Sequence, residues 1–408
     1  MNNQLHFHFV FRSVRLLVSL IRGGFLALIL LLLLSRPVSQ AQAEYLSSLS
    51  NGSGWRQSNT SGFGNSTNSA FHALEAFNGQ LYAGATNYNQ GATIWRTTNG
   101  ISWAVTTSPG FINTYTNSNV VLFDLIEFNG QLYAGTGDWW EHGQGVGGQI
   151  WRSPDGTNWI PVEENGFGDI NNTAVTTFGV FSNTLYAATG GNVNGVQIWR
   201  SNTGDVGSWT RVITDGDGNA NNRWVTGFSE FDGYLYASIE PTTGTAKIWR
   251  TNNGTTWAQV NASGFGDTNN IGIGRSAIFN GYLYAGTRNS ITGAQLWRSN
   301  NGTNWNQVVG NGFGDINNNK IESLMTFDGA LYAMTNNQVT GGEVWRSTDG
   351  TTWVQDAPDG FGSGSTNVEW TQTTTIFNNS LFIGTVNNTL GGQVWQRLHQ
   401  VYLPMIIR

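Results

Sequence analysis

Cysteine is absent from all 408 residues, so neither a disulfide framework nor a thiolate metal site holds this chain together. Lysine is nearly absent as well, with Lys247 and Lys320 the only two. Charged residues make up 11% of the chain, under half of the usual share of about a quarter, and no stretch is strongly cationic. This excludes nucleic-acid binding through a basic surface. Ala, Glu, Lys and Leu do not dominate, which argues against long helices. The excess lies in glycine, at 54, and tryptophan, at 18, within a hydrophobic content of 39%. That content supports a packed, largely aromatic core rather than disorder.

One long hydrophobic run exists, Phe25 to Leu34. Arg12, Arg15 and Arg22 precede it and Ala41-Gln42-Ala43 follows. Basic residues, about ten apolar ones and an A-x-A site are the order of a secretory signal peptide. The run is too short for a membrane span. Cleavage after Ala43 removes four arginines and no acid, taking the net charge from −6 to −10. Residues 1–43 are therefore expected to be a signal peptide, and the mature chain to be secreted or extracytoplasmic. A secreted chain without cysteine reads as bacterial.

The rest is an internal repeat, and a repeat period constrains the fold before any local reading does. An aromatic-turn-Leu-aromatic unit, seen at Phe77-Asn78-Gly79-Gln80-Leu81-Tyr82, recurs around Tyr133, Tyr186, Tyr236, Tyr284, Tyr332 and Phe382, at steps of 48 to 53 residues. An aliphatic-Trp pair recurs at Trp95, Trp151, Trp199, Trp249, Trp297, Trp345 and Trp395, and a lone Trp at Trp55, Trp103, Trp159, Trp209, Trp257, Trp305 and Trp353. Asn-Gly and Asp-Gly turns between alternating apolar runs are strong hairpin signals, because these residues tolerate positive φ. Each unit reads as four short strands, and four strands per ~50 residues is the pattern of a β-propeller. The lone Trp appears before the first copy of the other two anchors and is missing after the last. The chain is thus expected to be an all-β, seven-bladed propeller over residues 44–397, with the N-terminal strand completing the last blade. Residues 398–408 form a short apolar tail outside the repeat.

The Trp series are expected to fill the wedges between blades. Arg96, Arg152, Arg200, Arg250, Arg298 and Arg346, each following a repeat Trp, suit carbonyls or neighbouring carboxylates as scaffold. The third-to-fourth strand turn has the form [Ser/Thr]-x-[Asp/Asn]-Gly-x-x-Trp, cleanest at Ser153-Pro154-Asp155-Gly156-Thr157-Asn158-Trp159 and Ser347-Thr348-Asp349-Gly350-Thr351-Thr352-Trp353. This turn resembles the Asp-box (BNR) turn of sialidase-like propellers, and the whole unit resembles kelch-type blades. The turn is degenerate: the family has one more residue between Asp and Gly, and Asn99, Asn253 and Asn301 replace Asp in three copies. The resemblance implies a fold-stabilising turn away from any active site. The family's Arg-Ile-Pro motif is missing, so its chemistry does not carry over.

Function is expected on the face carrying the variable loops, those joining second to third strands and fourth strands to the next first strand. The longest second-to-third loop holds Asp138, Trp139, Trp140, Glu141 and His142, an aromatic and acidic set suited to stacking on and hydrogen-bonding a sugar. Aligning first strands on their terminal Phe puts Trp224 and Trp370 where other units have mostly small residues, with Arg223 and Glu369 beside them. Arg288 is an arginine outside the repeat series. Asn68, Asn119, Asn172, Asn222, Asn270, Asn318 and Asn367 recur two or three residues earlier, read as Asx turns entering the strand or as a circle of amide ligands. Asp215, Asp217 and Asn219 place oxygens at alternate positions, a calcium-like start without the Glu that would close an EF-hand-type loop.

These signals favour a non-enzymatic, monomeric module that binds an extracellular ligand, carbohydrate above all. A sialidase-like glycoside hydrolase and a structural or protein-binding surface module are the alternatives. No cofactor is expected beyond a structural Ca²⁺.

Overall fold

The computed structural model describes residues 54–111, 119–138, 147–191, 193–367 and 369–399, with only the backbone given for 369–372. The proposed signal peptide, the tail beyond His399, and Trp139, Trp140, Glu141 and His142 lie outside the described residues, as do the side chains of Glu369 and Trp370.

The described chain is all-β, with short single-turn helices as its only helical elements. First strands run over Ala70–Phe77, Val121–Phe128, Ala174–Phe181, Asn222–Phe231, Gly272–Ile273 with Ala277–Phe279, Lys320–Phe327 and Glu369–Phe377. Each pairs antiparallel with a second strand and that with a third, as Asn222–Phe231 pairs with Tyr234–Pro241 and that with Lys247–Thr251. Continuous ladders group the strands into sheets of eight, eight, four and nine strands, fewer than the repeat count suggests. The cause is local: single partner pairs, Ala70↔Val386, Ala174↔Gly137 and Arg288↔Lys320, join the first strand of one repeat to the second strand of the repeat before.

The two chain ends meet as expected. Trp55–Gln57 pairs with Val394–Leu398 in the register Trp55↔Arg397, Arg56↔Gln396 and Gln57↔Trp395. Asp356 closes the junction from the preceding repeat: it accepts from Trp55 Nε1 at 2.8 Å and lies 3.0 Å from Arg397 Nε and 3.3 Å from Arg346 Nε. Apolar clusters sit between successive repeats, and one joins the last repeat to the first, packing Phe377, Phe382 and Val394 on Phe71, Leu74 and Leu81.

Trp and Arg residues behave as scaffold. Third-strand and fourth-strand tryptophans pack against these inter-repeat clusters, as Trp345 and Trp353 do with Leu296 and Leu324. Between them lies a phenylalanine from the preceding turn: Phe313 stacks on Trp345 at 4.9 Å and meets Trp353 edge-on at 5.4 Å. Phe63, Phe111, Phe167, Phe265, Phe313 and Phe361 all take this role with positive φ of 53 to 61°. A left-handed conformation costs a non-glycine residue ~1–2 kcal/mol, which burial of the ring offsets. Arg250 Nη1 donates to Tyr236 Oη and to the Asn301 carbonyl of the next repeat's turn, each at 3.2 Å.

The recurring asparagines differ from both readings made of them. They are buried junctions between loop and strand, neither Asx turns nor free amides. Asn270 Nδ2 donates to Gly264 O at 2.9 Å and Gln295 Oε1 at 2.8 Å, while its Oδ1 accepts from Thr287 Oγ1 and Asn289 Nδ2. The same wiring holds at Asn318 and, with Gln393 and Asn387, at Asn367. A buried amide that satisfies both its groups has nothing left for a ligand.

The Asp-box-like turn closes on itself. Asp155 Oδ1 accepts from the Thr157 and Asn158 amides at 2.8 Å, and Ser153 Oγ from Gly156 N at 2.8 Å. Those amide bonds hold the Asp155 carboxyl well below the usual carboxylate range.

Candidate functional site

Strands in each repeat alternate in direction, so the second-to-third and fourth-to-first connections share one side. First strands begin there and second strands end there. Glu240, near the end of Tyr234–Pro241, is the backbone partner of Trp224. Its Oε1 accepts from Arg288 Nη1 at 2.9 Å, its Oε2 lies 3.1 Å from Lys320 Nζ, and Lys320 Nζ lies 3.0 Å from Glu322 Oε2. Three successive repeats thus contribute to one alternating chain of charge.

The cluster is graded in exposure. The Arg288 side chain is 46% exposed, against 13% for Glu240, 10% for Lys320 and 4% for Glu322. Gly272 makes room for it, since a Cβ there would lie 2.7 Å from Glu240 Cδ. Burial pushes the Glu240 carboxyl up, but Lys320 and Arg288 outweigh it and hold the group below its ordinary value. Burial likewise pushes Lys320 down, and Glu240 with Glu322 more than restores it, leaving the ammonium above its usual range. Near neutral pH Glu240 stays an acceptor and Lys320 a cation. The arrangement positions Arg288 at the surface and is suited to hydrogen-bonding a ligand, not to exchanging protons with it.

Trp224 is linked to this cluster only through its backbone pairing with Glu240. It is half-buried, its ring against Gly190, where a Cβ would lie 2.3 Å from Trp224 Cζ3. Arg223 precedes it in the same strand. Asp138, at the root of its long loop, has a buried side chain and an amide that donates to Thr173 O at 3.0 Å. Asp215 and Asp217 stand in the Asp215–Gly218 turn with φ of 50° and 57°, and Asn219 Oδ1 accepts from Asn221 N at 3.0 Å. Among the described residues no group of three or more His, Asp or Glu side chains is arranged to hold a metal ion.

A second cluster lies deeper along the first strands. Asp124 Oδ2 accepts from Phe178 N at 2.9 Å and Thr177 Oγ1 at 3.1 Å, and its Oδ1 lies 2.8 Å from Arg275 Nη2. Arg275 comes from the fifth repeat and Asp124 from the second. Its path crosses Gly227, where a Cβ would lie 2.9 Å from Arg275 Cγ. Nearby, burial pushes the Glu75 carboxyl up to about 8, and burial with the Arg275 charge lowers His72 to about 4.

Of the residues singled out in the sequence, Arg288 is held by Glu240, whereas Trp224 is tied to Glu240 only through the backbone and packs its ring on Gly190 of the preceding repeat. Glu240, Lys320 and Glu322 were missed as partners, as was the Asp124–Arg275 pair. Signals existed: Lys320 is one of two lysines and breaks the small-residue register, and Glu240 is the one carboxylate at the position where the other second strands carry Thr86, Gly137, Gly190, Arg288, Asn336 and Val386.

No family model matches the chain, and no curated protein matches it. Among solved structures it is similar to a prolyl endopeptidase, with a TM-score of 0.51 and 12% identity over 81% of this chain and 50% of that one. It is also similar to an α-L-arabinofuranosidase from Fusarium graminearum (TM-score 0.48, 11% identity, 84% of this chain and 98% of that one). A sialidase from Trypanosoma rangeli gives a TM-score of 0.42 and 10% identity, over 80% of this chain and 54% of that one. The chain spans about half the length of the prolyl endopeptidase. At such identities the likeness is one of fold.

Proposed function

We propose that this chain is a secreted, seven-bladed β-propeller that binds an extracellular carbohydrate on its variable-loop side without transforming it. Closure of the repeats by Trp55–Gln57 and the apolar cluster between last and first repeats support the propeller. The observation that carries the binding reading is the half-exposed Arg288, fixed by a mostly covered Glu240. A guanidinium held in place at the surface presents hydrogen-bond donors that suit the hydroxyls of a sugar ring. Asp138, Trp139, Trp140, Glu141, His142, Arg223, Glu369 and Trp370 belong to the same proposed face, and a structural Ca²⁺ at Asp215, Asp217 and Asn219 is a separate proposal.

A glycan array followed by tryptophan-fluorescence titration tests this. Arg288→Ala should weaken binding at least tenfold while leaving the unfolding midpoint within about a degree. Silence across plant, bacterial and animal glycans would sink the reading. One observation favours the glycoside-hydrolase alternative: two carboxyl groups of neighbouring first strands, Glu75, which burial pushes up to about 8, and Asp124, which accepts from Phe178 N and pairs with Arg275, give the pair of acids that such chemistry uses. Turnover of fluorogenic glycosides, lost in Asp124→Asn, would replace binding with hydrolysis.

A further inference from the structure

A cleft of about 340 Å³ lies among the first strands of the fourth to seventh repeats, lined by Phe228, Arg275, Ser276, Ser323, Leu324 and Thr374 among others. It sits where the fifth first strand is broken between Ile273 and Ala277. There the backbone leaves its own ladder: Arg275 N donates to Glu322 O of the next repeat at 3.0 Å. Gly274 permits that approach, since a Cβ would lie 2.2 Å from Ile321 O. The break carries Arg275 and Ser276 out of the sheet and makes them walls of the cleft.

The walls have two characters. Phe228 and Leu324 are apolar. Opposite in chemistry are hydroxyls with bonding capacity to spare: Ser276 Oγ meets Ser229 Oγ at 2.7 Å, and Ser323 Oγ meets Thr374 Oγ1 at 3.4 Å. A hydroxyl has one donor and two acceptor positions, so each retains some. Arg275 lines the cleft and gives one amino group to Asp124. Asp124 already balances the guanidinium charge, so the cleft selects for oxygen acceptors without selecting for an anion. Its volume stands at the small end of ligand sites, ~300–1,000 Å³, about the size of one ring.

We infer that this cleft is a second binding site, specific for a single uncharged pyranose. The inference does not rest on the variable-loop site. Saturation-transfer NMR on the full chain, with methyl α-D-glucopyranoside, methyl α-D-mannopyranoside, methyl α-D-galactopyranoside and methyl α-L-fucopyranoside as probes, tests it. Transfer to at least one probe is expected, falling at least tenfold in both Ser276→Leu and Thr374→Leu, which fill the cleft from half-buried positions. Ile160→Ser, on an exposed outer strand, should leave it unchanged. No transfer to any probe overturns the inference, as does transfer that survives both cleft-filling variants. Stronger transfer to methyl β-D-glucuronide than to every neutral probe overturns the uncharged class. Loss in Arg288→Ala, with both cleft variants intact, would assign the sugar to the variable-loop site instead.

Discussion

Gly302 and Gly281 have nearly the same backbone conformation, φ of +71° and +76°, in the two kinds of turn that alternate along the chain. Their surroundings differ. A Cβ on Gly281 meets nothing within 4 Å, whereas one on Gly302 would overlap the Tyr236 hydroxyl of the preceding repeat. Gly281→Ala therefore bears only the left-handed backbone cost, ~1–2 kcal/mol, reduced by ~0.4–1 kcal/mol because the unfolded chain also loses freedom. Gly302→Ala bears the same cost plus an overpacking term of ~1–3 kcal/mol. The expected gap between the two variants is ~1–3 kcal/mol, read from equilibrium guanidinium unfolding followed by tryptophan fluorescence. Tyr236→Phe should return part of the loss in the Gly302→Ala background, since it removes the atom in the way. Equal midpoints for the two alanine variants, or no recovery in the double variant, would refute the claim that the second-strand Tyr is wedged under the next repeat's turn.

Glu75 has a raised carboxyl, so its favourable contribution is complete below pH ~4.5 and disappears as pH climbs through about 8. Glu75→Gln should leave stability unchanged near pH 4.5 and add ~2 kcal/mol at pH 9, an amount kept modest because the side chain is half-buried; parallel pH profiles for both proteins would contradict it. Asp356→Asn removes the carboxylate shared by Arg397 and Arg346 at the closing junction. Leaving the buried Arg397 guanidinium without this carboxylate costs ~3–5 kcal/mol, and limited proteolysis should then cut first beside Trp55–Gln57; unchanged cleavage kinetics would count against the junction. Phe265→Ala should cost ~3 kcal/mol by emptying the slot between Trp297 and Trp305, measurable as a lower unfolding midpoint.

Much of the architecture was legible because repetition multiplies weak signals. A single Asn-Gly turn or lone Trp says little, but recurrence at about fifty residues pointed to an all-β chain, to the hairpin positions and to the complementary fragments at Trp55 and Trp395. Side-chain wiring was less legible. Nothing in the Gly-Phe-Gly stretches announces a left-handed phenylalanine stacked on a distant Trp, because φ at a non-glycine residue is set by the tertiary contact that rewards it. The asparagines were placed in the right register but given the wrong partners, since Gln295 lies 25 residues from Asn270 and local rules reach only a few. The site was half legible. Arg288 and Trp224 stood out by breaking the repeat, whereas Glu240 and Asp124 acquire meaning only from arginines of other repeats brought beside them.

Antiparallel pairing of Trp55–Gln57 with Val394–Leu398 has a topological corollary. A short linker between these neighbouring edges would leave every hydrogen bond in place, and fresh termini could then be opened at an exposed hairpin such as the one holding Gly281. Circular permutants should fold, and their relative stabilities would rank how strongly each successive sheet depends on the velcro-like seam that evolution placed at the ends.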